Sequence, residues 1–167
     1  DMQFAMGHES LHGRWVHVYV NGAYHGQYHL HEWPNDDFMA SYLPGSPEDY
    51  EYTNGANASK AGSDNWQATW ASVKSAARAG GAALRWIDLE NLINYQILNY
   101  YAGNPWDWNP NQNWMAAGPG RSGSPSGGWK FFGWDSDICL QDPGANVLGK
   151  NVPDGIFQSL MNDEEFR

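Results

Sequence analysis

Apolar residues recur along this chain with two different periods, and the change of period marks its elements. Arg14 to Val20 is rich in β-branched and aromatic residues, Asn21-Gly22 is a strong two-residue turn signal, and Ala23 to His31 continues the aromatic run, so the segment predicts a β-hairpin. A type I′ turn pairs Val20 with Ala23 and predicts the register Tyr19 with Tyr24, His17 with Gly26 and Trp15 with Tyr28. Both faces are then partly apolar. Gly26 leaves His17 without an opposing side chain, as expected where another group approaches the backbone. From Pro34 to Ser63 the chain is rich in Pro, Gly, Asp, Ser and Asn and reads mostly as loop, with a short helix around Asp36 to Tyr42.

Helical spacing follows. Ser63 caps a segment in which Trp66, Trp70, Val73 and Ala77 recur on one face, and Gly80-Gly81 ends it. Asp88 is the N-cap of a second helix, with Ile87 and Leu92 as a hydrophobic staple. Leu89, Leu92, Ile93, Ile97, Tyr100 and Tyr101 form its stripe, widened by Tyr95 and Leu98, so most of its circumference is expected to be buried. Gly103 and Asn104-Pro105 stop it near Ala102. Asn113 to Ala117 and Trp129 to Trp134 predict a second hairpin around the tract Gly118 to Gly128, and Pro153 opens a last helix carrying Ile156, Phe157, Leu160 and Met161. Strands and helices are segregated rather than alternating, which predicts an α+β fold without a parallel sheet.

Composition changes this picture in one respect. Leu, Ile, Val and Phe supply only 27 of 167 residues and the net charge is −10, a balance typical of disorder, but ten Trp and nine Tyr can build a core of indole and phenol rings. The length suits one domain. A pI near 4.8 excludes a broad nucleic-acid or anionic-lipid footprint, and no apolar run is long enough to span a membrane. Cys139 is the lone cysteine, which excludes an internal disulfide. Both ends read like pieces of helices, so the chain is expected to be an incomplete domain, truncated on both sides.

Candidate chemistry gathers after the second helix. Asp107 sits between Trp106 and Trp108, Asn109, Asn111 and Asn113 follow, and Asp135 and Asp137 flank Ser136 after the aromatic strand, where strand alternation aims both carboxylates the same way. Hard oxygen donors of this kind suit Mg²⁺, although Asp and Asn are also the usual turn and capping residues. The order Asp107, Asn113, Asp135 repeats that of kinase-type phosphoryl transfer: an Asp at the acceptor hydroxyl, an Asn on metal, and a second Asp on the nucleotide's metal after a hairpin. The carboxylates of Asp107 and Asp135 are expected within about 10 Å of each other. His17, His25, His29 and His31 invite a zinc reading, but the expected register puts His25 and His29 on one face and His17 on the other.

The hairpin from Tyr19 to Glu32, the run Asp88-Leu89-Glu90-Asn91, Gly103-Asn104 with Asp107-Trp108 and Asn113-Trp114, and Trp129 to Asp137 together resemble the CotH kinase family, atypical kinase-like proteins named for a spore-coat kinase. The resemblance spans nearly the whole chain. It implies an atypical protein-kinase-like fold, ATP and Mg²⁺ as cofactors, a protein Ser or Thr as acceptor, and a cell-surface or extracytoplasmic setting. By position, Asp107 matches the catalytic Asp, Asp135 the metal-binding Asp, Asn113 the metal amide and Asp137 the second acid, while Glu32 closes the hairpin motif and joins Gly26 on the nucleotide side. Trp33 stands where the family often has Arg, and His25 where it often has Trp. No Lys or Arg lies between Arg14 and Lys60, so the phosphate-binding cation has no assigned residue, and Asn111 is a rival to Asn113. The other readings are a non-catalytic pseudokinase and an aromatic surface that binds carbohydrate or protein.

Overall fold

The computed structural model describes residues 2–55, 66–106, 108–120, 127–164 and 166–167. Among the described residues five α-helices and five strands occur in the order α1 (Met2–Ala5), β1 (Gly13–Val20), β2 (Ala23–His31), α2 (Asp36–Tyr42), β3 (Tyr50–Asn54), α3 (Trp66–Ala79), α4 (Leu89–Ala102), β4 (Trp114–Pro119), β5 (Lys130–Gly133) and α5 (Ile156–Leu160). The strands make two antiparallel sheets, β1-β2 and β3-β4-β5, so the α+β expectation holds. No helix among the described residues is long and apolar enough to cross a membrane.

The three-stranded sheet is the centre of the molecule. Trp114 and Ala116 of β4 and Phe131 of β5 join Trp70, Val73, Leu92, Tyr95 and Ile156 in one core, while Met115, Ala117 and Phe132 join Phe38, Met39 and Tyr50 in another. That division is the period of two along each strand, with α3, α4 and α5 on one face and α2 on the other. Aromatics dominate as composition suggests, and each buried indole finds an acceptor: Trp70 at Asp154 Oδ2 (2.9 Å), Trp108 at the Tyr95 hydroxyl (2.8 Å), Trp114 at Pro110 O (3.0 Å) and Trp129 at Pro119 O (3.2 Å). Gly118 is required where β4 meets Trp129, because a Cβ there would come within 2.6 Å of the indole Cγ.

Three expectations need correction. Tyr50–Asn54, expected within the long loop, is β3 and pairs with β4 from Asn54 opposite Met115 to Tyr50 opposite Pro119. Its five residues alternate only weakly in polarity, and the sheet's burial overrides their composition. In the first hairpin the register holds at Val20 with Ala23 and Tyr19 with Tyr24 but then slips, so that Gly26 opposes Val18, His17 opposes Gln27 and Trp15 opposes His29. Gly26, at φ 142°, takes up the bulge beside the extra residue His25. The slip places Trp15, His17, Tyr19, Tyr24, His29 and His31 along one face, reversing the expected separation of His17 from His29. On α4, Ile93, Ile97 and Tyr101 are exposed, because the buried flank is occupied instead by the amides Asn91, Gln96 and Asn99. Asn91 Oδ1 accepts from Phe131 N (2.6 Å) and Gln96 Nε2 donates to Val152 O (2.5 Å), which ties α4 to β5 and to the chain entering α5.

The free edge of β5 is sealed by side chains. Gln3 of α1 donates to Phe131 O (2.9 Å) and accepts from Gly133 N (2.8 Å), acting as a one-residue surrogate strand. At the start of β5, Lys130 pairs with Asp88 Oδ2 (2.6 Å) and Glu9 Oε2 (3.2 Å). Burial pushes the Lys130 ammonium down, but the hydrogen bond and charge of Asp88, with those of Glu9, win and hold its pKa above the ordinary value. Asp88 also caps α4 by accepting from Asn91 N (3.0 Å), so Asp88 and Asn91 weld this helix to the strand that leads to Asp135.

Candidate functional site

Gly103, in the left-handed conformation, ends α4 and sends the chain into the acid- and amide-rich segment. Several of its amides do turn work: Asn104 Oδ1 accepts from Trp106 N (3.2 Å) and Asn109 Oδ1 from Asn111 N (3.0 Å). Trp108 anchors the segment in the core through the Tyr95 hydroxyl, whose pKa burial raises strongly against a smaller lowering by the Trp108 bond. Trp106, by contrast, is 75% exposed. Asp107 lies outside the described residues, and with it the expected separation from Asp135.

Asn113 and Asp135 leave the same end of one ladder. Trp114 opposes Gly133 there, so Asn113 precedes one member of the last pair and Trp134 and Asp135 follow the other. Both are in the left-handed region, Asn113 at φ 59° and Asp135 at φ 48°, a conformation that Asn and Asp tolerate better than most residues. β5 stops at Gly133, so strand alternation does not govern Asp135 and Asp137, and the expectation that it aims the pair together is corrected: Asp137 belongs to the turn that follows. Both acids are exposed, and no ion pair joins either to a cation of the described residues. Asn111 is exposed as well.

The hairpin meets this end of the ladder through Trp134. Its indole lies edge-on to His31 (ring centroids 5.1 Å apart) and to Trp33 (4.8 Å), the two residues on either side of Glu32. Glu32 accepts from the Tyr42 hydroxyl (2.6 Å) and from His12 N (2.8 Å), and its Oε2 lies 2.9 Å from His12 Nδ1. Partial burial raises the Glu32 pKa, but the hydrogen bonds from Tyr42 and His12 and the His12 charge outweigh it and hold the carboxyl below its usual range. His12, Gly13, Arg14, Leu30, His31 and Glu32 line a groove of about 310 Å³ at this open end of the hairpin. Gly26 is not part of it. Five residues lie between it and Glu32, six steps or roughly 20 Å at strand rise.

Hard oxygen donors that are open to solvent and lack a cationic partner fit a divalent cation; Asp135 and Asp137 are exposed and have that character, and Asn113 beside them is half-buried. Among the described residues no three His, Cys, Asp or Glu are grouped to hold a metal ion. Sequence reasoning passed over Gln3, which seals β5, and Lys150, which donates to Pro105 O (2.7 Å) and Trp108 O (2.6 Å). Gln3 carries no local signal. Lys150 carries one, being the single Lys or Arg between Lys130 and Arg167.

Comparison with known proteins adds one match. The family model described as CotH kinase protein matches residues 1–167. No curated protein and no solved structure matches the chain.

Proposed function

The chain belongs to the CotH kinase family, and from that premise we propose that it transfers the γ-phosphoryl group of ATP, with Mg²⁺, to a Ser or Thr hydroxyl of a protein. In this reading residues 1–167 form one kinase-like domain in which the β1-β2 hairpin is the nucleotide-side element and the sheet with α3, α4 and α5 is the other lobe. The observation that carries it is the seat of Trp134 between His31 and Trp33, which brings the motif around Glu32 against the motif around Asp135. These are the two halves that a nucleotide with its metal must bridge.

Asp135 and Asn113, with Asp137 beside them, would hold Mg²⁺, which supplies charge neutralisation for the phosphates when bound. Asp107 accepts the hydrogen bond of the acceptor hydroxyl and orients its oxygen toward the γ-phosphorus. The new P–O bond forms as the bond to the β–γ bridging oxygen breaks, ADP leaves, and the hydroxyl proton passes to the Asp107 carboxylate. Nothing covalent is asked of the protein, so the rate comes from positioning and charge.

Calorimetric titration with ATP, with and without Mg²⁺, tests the reading. Binding is expected to need the metal, Asp135→Asn to abolish it, and Asp107→Asn to leave it intact while slowing transfer by roughly 100-fold or more. ATP binding without transfer would assign the chain to the pseudokinases. No heat in either titration would favour the second reading, a binding surface made of the exposed row Trp15, Tyr19 and Tyr24 along one face of the hairpin, exposed by 66, 63 and 56%.

A further inference from the structure

Opposite charges are paired at two places in the body of this acidic chain: Lys130 joins Asp88 and Glu9, and Lys74 of α3 joins Asp154 (3.0 Å). Arg78 departs from that pattern. It lies one turn after Lys74 on α3, is exposed, and makes no ion pair with an acid of the described residues. Residues four apart share one side of a helix, and both cations line a cavity of about 400 Å³ between α3 and the chain around α5. Asn151, Asp154, Ser159 and Asn162 line its other side. Among the described residues the lining holds two cations against one acid, in a chain whose net charge is −10.

The cavity is anchored in the core. Asp154 Oδ2 accepts from the Trp70 indole (2.9 Å) and ion-pairs with Lys74, which leaves Oδ1 without a partner among the described residues. Gln158, a further lining residue, donates through Nε2 to Lys150 O, but its Oε1 is buried without a hydrogen-bond partner. A buried acceptor of that kind costs free energy unless a donor reaches it.

These groups select a ligand by class. A guanidinium beside an ammonium recognises phosphate, the guanidinium with two parallel bonds. Carboxylate and amide oxygens take hydrogen bonds from hydroxyls, and amide nitrogens and the Ser159 hydroxyl return them. The volume is that of a small-molecule site and exceeds what a bare phosphate ion fills. No aromatic ring is among the described lining residues, so a nucleobase finds nothing to stack on. We propose that this cavity binds a small phosphorylated polyol, with the phosphate held by Lys74 and Arg78 and the hydroxyls by Asp154 and the amides around it. It shares no residue with the groove beside Glu32 or with Asn113, Asp135 and Asp137, so the proposal stands apart from the kinase reading.

The test is calorimetric titration of the full chain with the primary phosphate monoesters of glucose and of glycerol, and with inorganic phosphate and glucose. At least one monoester is expected to saturate a single site, with inorganic phosphate and glucose each weaker by about tenfold or more. Arg78 is exposed, so its variants are expected to fold. Arg78→Met should weaken the monoester by about tenfold, and Arg78→Lys, which keeps the charge without the planar fork, by about threefold. Arg85→Met, which removes a cation that does not line the cavity, should leave the affinity unchanged. Failure of both monoesters to saturate overturns the proposal. Inorganic phosphate binding as tightly as the better monoester also overturns it, because the hydroxyl contacts would then contribute nothing. Equal affinity in wild type and Arg78→Met removes the ligand from this cavity, and a phosphoserine peptide that binds more tightly than either monoester would assign the site to phosphorylated protein instead.

Discussion

In β1 and β2 rings and branched aliphatics stand on both faces, yet neither strand has a buried residue, whereas every residue of β4 is buried. Local composition does not account for the contrast, since Trp15, Val16, Val18 and Tyr19 are as suited to a core as Trp114 and Met115. What differs is cover. The sheet has helices on both faces and a side-chain amide along its free edge, while the ties between hairpin and body gather at the open end, at Trp134, Phe4 and Tyr42. An isolated two-stranded ribbon is marginally stable in water, so the hairpin takes its order from that one end. On the proposed reading, the element that would meet nucleotide is tied to the body at one end, whereas the sheet that carries Asn113 and Asp135 is covered on both faces.

Matched substitutions in the two regions are the sharpest way to break this comparison. Trp114→Ala removes a fully buried indole from the sheet and is expected to cost about 3–5 kcal/mol in chemical denaturation, whereas Trp15→Ala, at a site 66% exposed, should cost less than about 0.5 kcal/mol. Equal losses at the two sites would show that the hairpin is covered in solution by something it meets there. The charges give a second matched pair. Lys130→Met leaves Asp88 without its cation and is expected to cost about 3 kcal/mol, while Arg14→Met on the exposed hairpin should be close to neutral. Adding Asp88→Asn to Lys130→Met should recover part of the loss, because the amide oxygen can still cap α4. No recovery in that double variant would mean that the pair is not coupled.

Legibility in the sequence followed the same division. Segments whose signal is local were readable: the Asn21-Gly22 turn, the Asp88 cap, Gly103 as helix stop, and the pairing of β4 with β5 across a glycine-rich tract. Segments whose structure depends on distant partners were not. β3 exists because β4 offers it an edge, and the buried amides Asn91 and Gln96 displaced Ile93 and Ile97 from the interior because they hydrogen-bond backbone on other elements. The register of the first hairpin failed at one residue, since the sequence shows a glycine at 26 but not on which side of it the bulge falls. Of the candidate site, the seat of Asn113 and Asp135 at one end of a ladder follows from hairpin arithmetic. The contact of Trp134 with the residues flanking Glu32, and the seal that Gln3 places on β5, are tertiary and left no trace at short range.

Glu32 marks the border between the two regions, and its titration is the smallest effect expected. The carboxylate is held below its usual pKa in the folded chain, against the rise due to burial, by bonds from Tyr42 and His12. A group depressed in this way contributes stability that is fully present above its unfolded value, about 4.3, and is lost as pH falls through the folded value. The side chain is 35% exposed, so solvent screening keeps the contribution to a fraction of a kcal/mol. It should therefore appear as local loosening and not as global unfolding. Carboxyl carbon titration by NMR is expected to give Glu32 a midpoint below that of an unperturbed Glu, and Tyr42→Phe should move it upward by removing the phenol donor. Below the wild-type midpoint, amides of β1 and β2 near the open end should exchange faster while those of β4 stay protected. A Glu32 midpoint that ignores Tyr42→Phe would mean that the hydroxyl contact does not hold in solution, and the junction would then depend on the Trp134 ring contacts alone.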